Sequence, residues 1–260
     1  MNLMCQKQAL EQLQRIADAD NHSILIEGIK GCGKTYLAAQ FAKMKNIEDY
    51  TVVESNVNSI KDMIERSYSL TNNMIMCVEN LDMGVAAAAF TLLKYLEEPR
   101  SNVYIVVTCR NINNVPDTIL SRSVSVTVAP PIDSDILTYA ETKDKTRLQI
   151  LKGLPLWNVV RSFQDVDMLF LLPPEKIDYL TGLNRLKLSS HVSDIIWQIG
   201  HYLDNSETDL DFVIRYIMLS TSSKYMKQCC IECLTELSYN RIASHATLAK
   251  LAFELKYGGY

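Results

Sequence analysis

The chain has 260 residues, 48% of them hydrophobic and 22% charged, with a net charge of −4. It is long enough to bury one large core or two to three small ones, and too acidic for a freestanding non-specific DNA binder, which gains affinity by neutralising phosphates. No apolar run approaches the roughly 20 residues that span a bilayer, and the opening MNLMCQKQAL lacks a basic start before an apolar core, so an intracellular, cytoplasmic chain is expected. Leu3, Leu10, Leu13 and Ile16 recur at helical spacing over residues 3–17. Strand-like 23–28, helical 36–44, strand 51–55, helix 60–68, strand 75–79, helix 85–98, strand 103–108 and strand 123–128 follow. Strands alternating with helices predict an α/β fold, with five strands in a mainly parallel sheet covered on both faces.

The alternation stops at Ala129-Pro130-Pro131. Beyond it only helical patterns appear, at 133–142, 145–152, 156–170, 174–180, 184–203, 209–219, 222–239 and 243–256. The expected organisation is an α/β domain over 1–131 followed by an all-helical remainder. Seven cysteines are present, and Cys229, Cys230 and Cys233 cluster on one helical stretch. With no second pair and no nearby His-x-x-x-His, they read as buried thiols rather than a metal site.

Directly after the first strand comes GIKGCGKT, comprising Gly28, Ile29, Lys30, Gly31, Cys32, Gly33, Lys34 and Thr35, with a helix behind it. This fits G-x-x-x-x-G-K-[ST] in the strand, loop and helix context that phosphate binding requires. The glycines let backbone N–H groups point inward at phosphate oxygens, Lys34 reaches the outer phosphates, and the Thr35 hydroxyl joins a magnesium shell. A nucleotide with magnesium is the expected ligand, and these residues leave open which nucleotide. Cys32 is read as a small residue that fits the loop, the alternative being a redox switch if its thiol were acidified.

The stretch LLKYLEEPRSNVYIVVTCRNINNVPDTILSRSVSVTV, 92–128, resembles the clamp-loader branch of the AAA+ ATPases, the γ and δ′ subunits of bacterial DNA polymerase III and the small subunits of replication factor C. Leu92-Leu93-Lys94, Leu96-Glu97-Glu98-Pro99 and Pro116 to Arg122 match the family pattern without a gap. The resemblance implies that Arg122 is a finger reaching the γ-phosphate held by a neighbouring subunit; the alternative is a surface ion pair. It places Glu79 on the family's magnesium-associated aspartate, Asn80 on its catalytic glutamate, and Asp82 beyond both. An amide orients a water but cannot accept its proton, so slow or absent turnover is expected, unless Glu79 covers both tasks.

Three further assignments follow from the resemblance. Thr108 or Asn111 is the polar residue that senses the γ-phosphate from the loop after the fourth strand. Arg185, in Gly182-Leu183-Asn184-Arg185, matches the form of the lid-helix arginine but sits later than in the family, with an ordinary solvated arginine as the alternative. Asn58, Ser59 and Lys61 begin the helix that in the family faces primer–template DNA; the alternative is a solvated helix start capped by Ser59. The resemblance further implies ATP and magnesium as cofactors, and a division into a nucleotide-binding domain over 1–131, a helical lid over 132–182 and a C-terminal helical, collar-like oligomerisation domain over 183–260. The chain lacks the four-cysteine zinc module of many bacterial relatives, and its helical tail is short, as in a compact, phage-type subunit. The implied function is that of a δ′-like, stator-type clamp-loader subunit acting with other subunits in a ring, a pentamer in the family, with a sliding clamp and primed DNA. A nucleotide-dependent switch or adaptor, such as a helicase loader, is the alternative. A small-molecule kinase leaves the ILSR motif unexplained.

Overall fold

A computed structural model describes residues 4–98, 100–175, 177, 210–220, 224–239 and 250. Two compact units divide the chain, residues 1–139 and 140–260. In the first, β1 (Ser23–Glu27), β2 (Asp49–Glu54), β3 (Met74–Glu79), β4 (Val103–Cys109) and β5 (Val124–Thr127) form one sheet in the order β2-β3-β4-β1-β5. Every pairing is parallel. The crossovers are α2 (Lys34–Met44), α3 (Val57–Ser69) and α4 (Ala86–Glu97), and α1 (Met4–Asp18) precedes the sheet.

Burial follows position in the sheet. All seven residues of β4 and the first five of β3 are buried, so these central strands read as continuous apolar runs. The edge strand β5 buries only Val126, and its SVSVTV alternation records one covered face. The side chains sort by parity. Ile24, Ile26, Ile75, Cys77, Tyr104 and Val106 pack with Leu13, Leu37 and Phe41 under α1 and α2. Leu25, Met76, Val78, Ile105, Val107 and Cys109 face Ile60, Leu92 and Leu96 of α3 and α4. This parity decides below which residues at the strand ends reach α2.

A short helix, α5 (Asp117–Leu120), leads into β5, and α6 (Asp133–Lys143) carries the chain out of the first unit. In the second unit α7 (Lys145–Lys152) starts on Asp144, whose carboxylate accepts from the N–H groups of Thr146 and Arg147. The continuous helix expected over 156–170 is broken. A 3-10 turn spans Pro155–Val159, and α8 (Phe163–Leu171) starts afresh on a Ser162/Asp165 capping box. Asp165 also pairs with Arg215 at 3.0 Å, tying the helix Leu210–Ser220 to α8. A second helix covers Lys224–Tyr239. The helices expected at 184–203 and 243–256, most of 174–180, and the lid–collar boundary at 182 lie outside the described residues. Among the described residues no helix is long and apolar enough to cross a membrane.

Candidate nucleotide-binding site

The loop Gly28–Thr35 leaves the carboxyl end of β1 and enters α2. The Gly28 N–H donates to the Cys109 carbonyl at 3.2 Å, so the loop starts flush with β4. A Cβ on Gly28 would meet Cys32 Sγ at 2.7 Å and Val128 Cβ at 3.1 Å, which explains the glycine by close packing. Gly31 and Gly33 take φ of 73° and 94°, left-handed values that turn the loop back over the helix start. Gly33 caps α2 with no side-chain acceptor, leaving the first N–H groups of the helix directed at the loop's interior. Gln6 of α1 braces the loop, its Nε2 donating to the Cys32 carbonyl at 3.0 Å.

Lys34 is buried, and its ammonium donates to the carbonyls of Gly28 at 2.8 Å and Ile29 at 2.9 Å. Burial lowers its proton affinity, Arg110 lowers it further, and Cys32 and Asp82 partly offset both. Ile29 is exposed and Lys30 half-buried on the outer side of the loop. Burial raises the Cys32 thiol above its ordinary 9.0, opposite to what a reactive cysteine needs.

Three strand ends converge on α2. Glu79 continues the parity of Ile75 and Cys77 toward α2, and its Oε1 accepts from Thr35 Oγ1 at 2.5 Å. A hydroxyl and a carboxylate in direct contact at the start of a phosphate-type loop are a donor set that fits a hard divalent cation such as magnesium. Asn80 follows in the left-handed region, φ 49° and ψ 53°, which asparagine tolerates. Its N–H donates to Thr108 Oγ1 at 3.0 Å and its carbonyl accepts from Ser55 Oγ at 3.2 Å. Thr108 is buried inside the site. Asn111 is exposed, and its side-chain oxygen caps its own 3-10 turn by accepting from the Asn113 N–H.

Asp82, which motif alignment passes over, sits at the centre of this region. Its Oδ2 accepts from the N–H groups of Arg110 and Asn111, both at 3.0 Å, while its Oδ1 is buried with no hydrogen-bond partner among the described residues. The signal that finds it is three-dimensional: the turn after β3 must meet the turn after β4, because the strands are neighbours.

Arg122 lies at the other end of the sheet. Ile24 pairs with Val124 and Glu27 with Thr127, so Arg122 precedes the start of β5 while the phosphate loop follows the end of β1. The three steps from Val124 to Thr127 alone span about 10 Å. The guanidinium is 38% exposed, pairs with Glu97 at 3.2 Å, donates to the Thr118 carbonyl at 2.9 Å, and lines a groove of about 320 Å³ with His22, Ser23, Leu96 and Val124. The surface ion pair considered for it from sequence is therefore present.

The first turn of α3 displays Asn58 and Lys61 to solvent, with Ser59 half-buried. Its cap is Asn56, whose side chain accepts from the Ser59 N–H at 2.8 Å; Ser59 is not the cap, because the helix starts at Val57. Arg185 lies outside the described residues. Cys229, Cys230 and Cys233 are buried thiols, Cys233 pushed up to about 12 by burial, and no group of three metal-ligating side chains occurs among the described residues.

Comparison with known proteins gives the following. A family model described as "DNA polymerase III, delta subunit" matches residues 46–131, and one for the Sigma-54 interaction domain matches residues 2–69. The crystal structure of a DNA polymerase III gamma subunit-related protein from Thermotoga maritima aligns over 95% of this chain and 98% of that one, at 17% identity and a TM-score of 0.59. The Thermotoga maritima RuvB Holliday junction branch migration motor aligns over 96% of this chain and 84% of its own, at 14% identity and a TM-score of 0.49. A search of curated protein sequences finds no match. The fold is thus the α/β fold of the gamma subunit-related protein, and the match of residues 46–131 to the DNA polymerase III delta subunit model agrees with the resemblance to the clamp-loader branch.

Proposed function

We propose that this clamp-loader-like AAA+ chain binds ATP as a δ′-like subunit of a clamp-loading assembly, hydrolyses it weakly by itself, and lends Arg122 to a neighbour's site. One observation carries this reading. The loop Gly28–Thr35 carries every motif residue and its Thr35–Glu79 pair is in place, yet the next residue is an amide, and the exposed Arg122 is at the far end of the sheet.

The backbone N–H groups of Gly28 to Thr35 and the Lys34 ammonium would hold the phosphates, with Thr35 and Glu79 as the magnesium-side oxygens. Bound magnesium supplies charge neutralisation to the phosphoryl oxygens. Lys34 must exchange the Gly28 and Ile29 carbonyls for phosphate oxygens, which burial favours because an anion restores what desolvation removes. Asn80 can hold a water by hydrogen bonding but cannot take its proton, and Glu79 is already engaged with Thr35. Arg122 stands too far along β5 to serve the chain's own loop, so it acts across an interface, where a guanidinium stabilises charge on a transferring phosphoryl group.

In this reading residues 1–131 are the nucleotide-binding domain, 132–182 the lid and 183–260 the oligomerising collar. Asn58, Ser59 and Lys61 donate to the backbone of primed DNA, and other loader subunits and a sliding clamp are the partners. The test is fluorescence anisotropy of a labelled primer–template, against blunt duplex, with Mg-ATP or Mg-ADP. The expected result is tighter binding to primed DNA that requires ATP. ATP binding without preference for primed ends would favour the adaptor reading and refute the loader.

A further inference from the structure

We infer that Asp135, in the first turn of α6, is a positioning residue for the phosphate loop, acting through α1 and Gln6, so that filling the loop and seating the start of α6 favour one another. The inference rests on the nucleotide-binding reading above and concerns residues outside the phosphate-binding motif.

The connection is a chain of buried polar contacts. Asp135 Oδ2 accepts from the Cys5 N–H at 3.2 Å and from the Ile132 N–H at 3.4 Å. One carboxylate oxygen thus serves the first turns of two helices, whose early N–H groups lack intrahelical acceptors and whose dipoles favour a negative charge there. The next residue of α1, Gln6, donates its Nε2 to the Cys32 carbonyl at 3.0 Å. Gln6 and Asp135 are each 2% exposed, and Cys32 is fully buried. Asp133 and Ser134, beside Asp135, are exposed, so burial singles out the acid that reaches α1.

What this chain of contacts holds is the direction of a peptide plane. The bond between Cys32 and Gly33 is trans, so its carbonyl and its N–H point opposite ways. Gln6 draws the Cys32 carbonyl toward α1, and the Gly33 N–H is thereby turned to the side of the loop away from α1, where a nest of N–H groups can meet phosphate oxygens. Gly31 and Gly33 are free to adopt many other conformations, so a restraint from outside the loop decides how much of the binding geometry exists before the ligand arrives. The link runs both ways. Ala129-Pro130-Pro131 leads from β5 to α6, and two of these three residues have no N–H, so the polar anchoring of the first turn of α6 to α1 falls to Asp135. If Asp135 favours the binding form of the loop, a nucleotide in the loop favours the Asp135 contacts by the same factor.

The experiment is calorimetric titration of the full chain with Mg-ATP, comparing wild type, Gln6→Leu, Asp135→Ala, the double variant and Lys34→Ala. Hydrogen–deuterium exchange of residues 133–139 is followed with and without saturating Mg-ATP. Gln6→Leu should weaken ATP by about five- to a hundredfold, the range for orphaning a buried carbonyl. Asp135→Ala should weaken it by about fivefold or more, the lower end of coupling between separate sites. Because Asp135 acts through Gln6, its replacement should add less than about twofold in the Gln6→Leu background. Mg-ATP should slow exchange over 133–139 in wild type and leave it unchanged in Gln6→Leu. Should Asp135→Ala fail to fold, the exchange measurement on wild type and Gln6→Leu makes the test alone. Unweakened binding by Gln6→Leu, losses that add in the double variant, or exchange over 133–139 that ignores ATP in wild type would overturn the inference while leaving nucleotide binding intact. A wild-type chain that binds ATP no better than Lys34→Ala would overturn the nucleotide-binding reading itself.

Discussion

Gly84 closes the turn between β3 and α4, and its replacement by alanine tests how tightly the site is built. The backbone angles, φ −80° and ψ 172°, suit any residue, so conformational strain is not at issue. Space is: a Cβ would lie 2.6 Å from the Ser55 carbonyl oxygen, 2.7 Å from Ser55 Oγ and 2.9 Å from Ser55 Cβ. Ser55 donates to the Asn80 carbonyl at 3.2 Å, so pushing it away also loosens the residue at the expected catalytic position. Overpacking of this kind costs about 1–3 kcal/mol, against about 0.4–1 kcal/mol gained because alanine restricts the unfolded chain. Strain wins, and a unit of this size should lose about 2–8 °C in Tm. Scanning calorimetry of wild type, Gly84→Ala, Ser55→Gly and the double variant measures it. Glycine at 55 removes two of the three contacts, so the double variant should be more stable than the sum of the single changes. A Gly84→Ala Tm within a degree of wild type, or strictly additive effects, would refute the packing argument.

Three further outcomes are expected. The thiols of Cys5, Cys77 and Cys109, which ionise near 9.0 when unfolded, are pushed up to about 12 by burial. Between those values the unfolded chain binds fewer protons than the folded one, so stability falls as pH rises, by at most about 1.4 kcal/mol per thiol per pH unit. Lys34, with a lowered folded pKa, works in the opposite direction below 10.5, but one amine does not offset three thiols. Urea midpoints at pH 7.5 and 10 should therefore separate, and Cys77→Ala should narrow the gap. Arg122→Ala should cost under about 1 kcal/mol, since its pair with Glu97 is exposed, and should leave nucleotide affinity unchanged by titration; a large loss of affinity would place Arg122 in its own chain's site. Lys61→Ala should reduce the salt dependence of primer–template binding by about one unit of log–log slope, read by anisotropy across a salt series.

The α/β half is legible because its strands announce themselves in two ways: β1, β3 and β4 as apolar runs covered on both faces, and β5 as an alternating edge. The strand–loop–helix placement of Gly28–Thr35 is legible because glycine, lysine and threonine are constrained at fixed spacing. Where reading by hydrophobic spacing fails, the competing signal is local. Residues 156–170 keep apolar spacing through a break, since Leu156, Val159, Val166 and Leu169 are all buried, yet Ser162 and Asp165 already spell the capping box that restarts the helix. At α3 a serine three residues downstream looked like the cap that Asn56 provides. Arg110 and Asp82 are a different matter. Their meeting depends on which strands are neighbours and on the parity of β4 relative to α2, neither of which is written in any short stretch of sequence.

Single-turnover hydrolysis of Mg-ATP by the chain in the presence of primer–template DNA, with Lys34→Ala as the blank, tests the central claim most directly. The amide at position 80 predicts wild-type turnover at or near the blank, and a rise of at least about a hundredfold in Asn80→Glu, the lower range of general-base catalysis. Wild-type turnover well above the blank and unchanged by Asn80→Glu would contradict the account, and would place the water-activating role on Glu79.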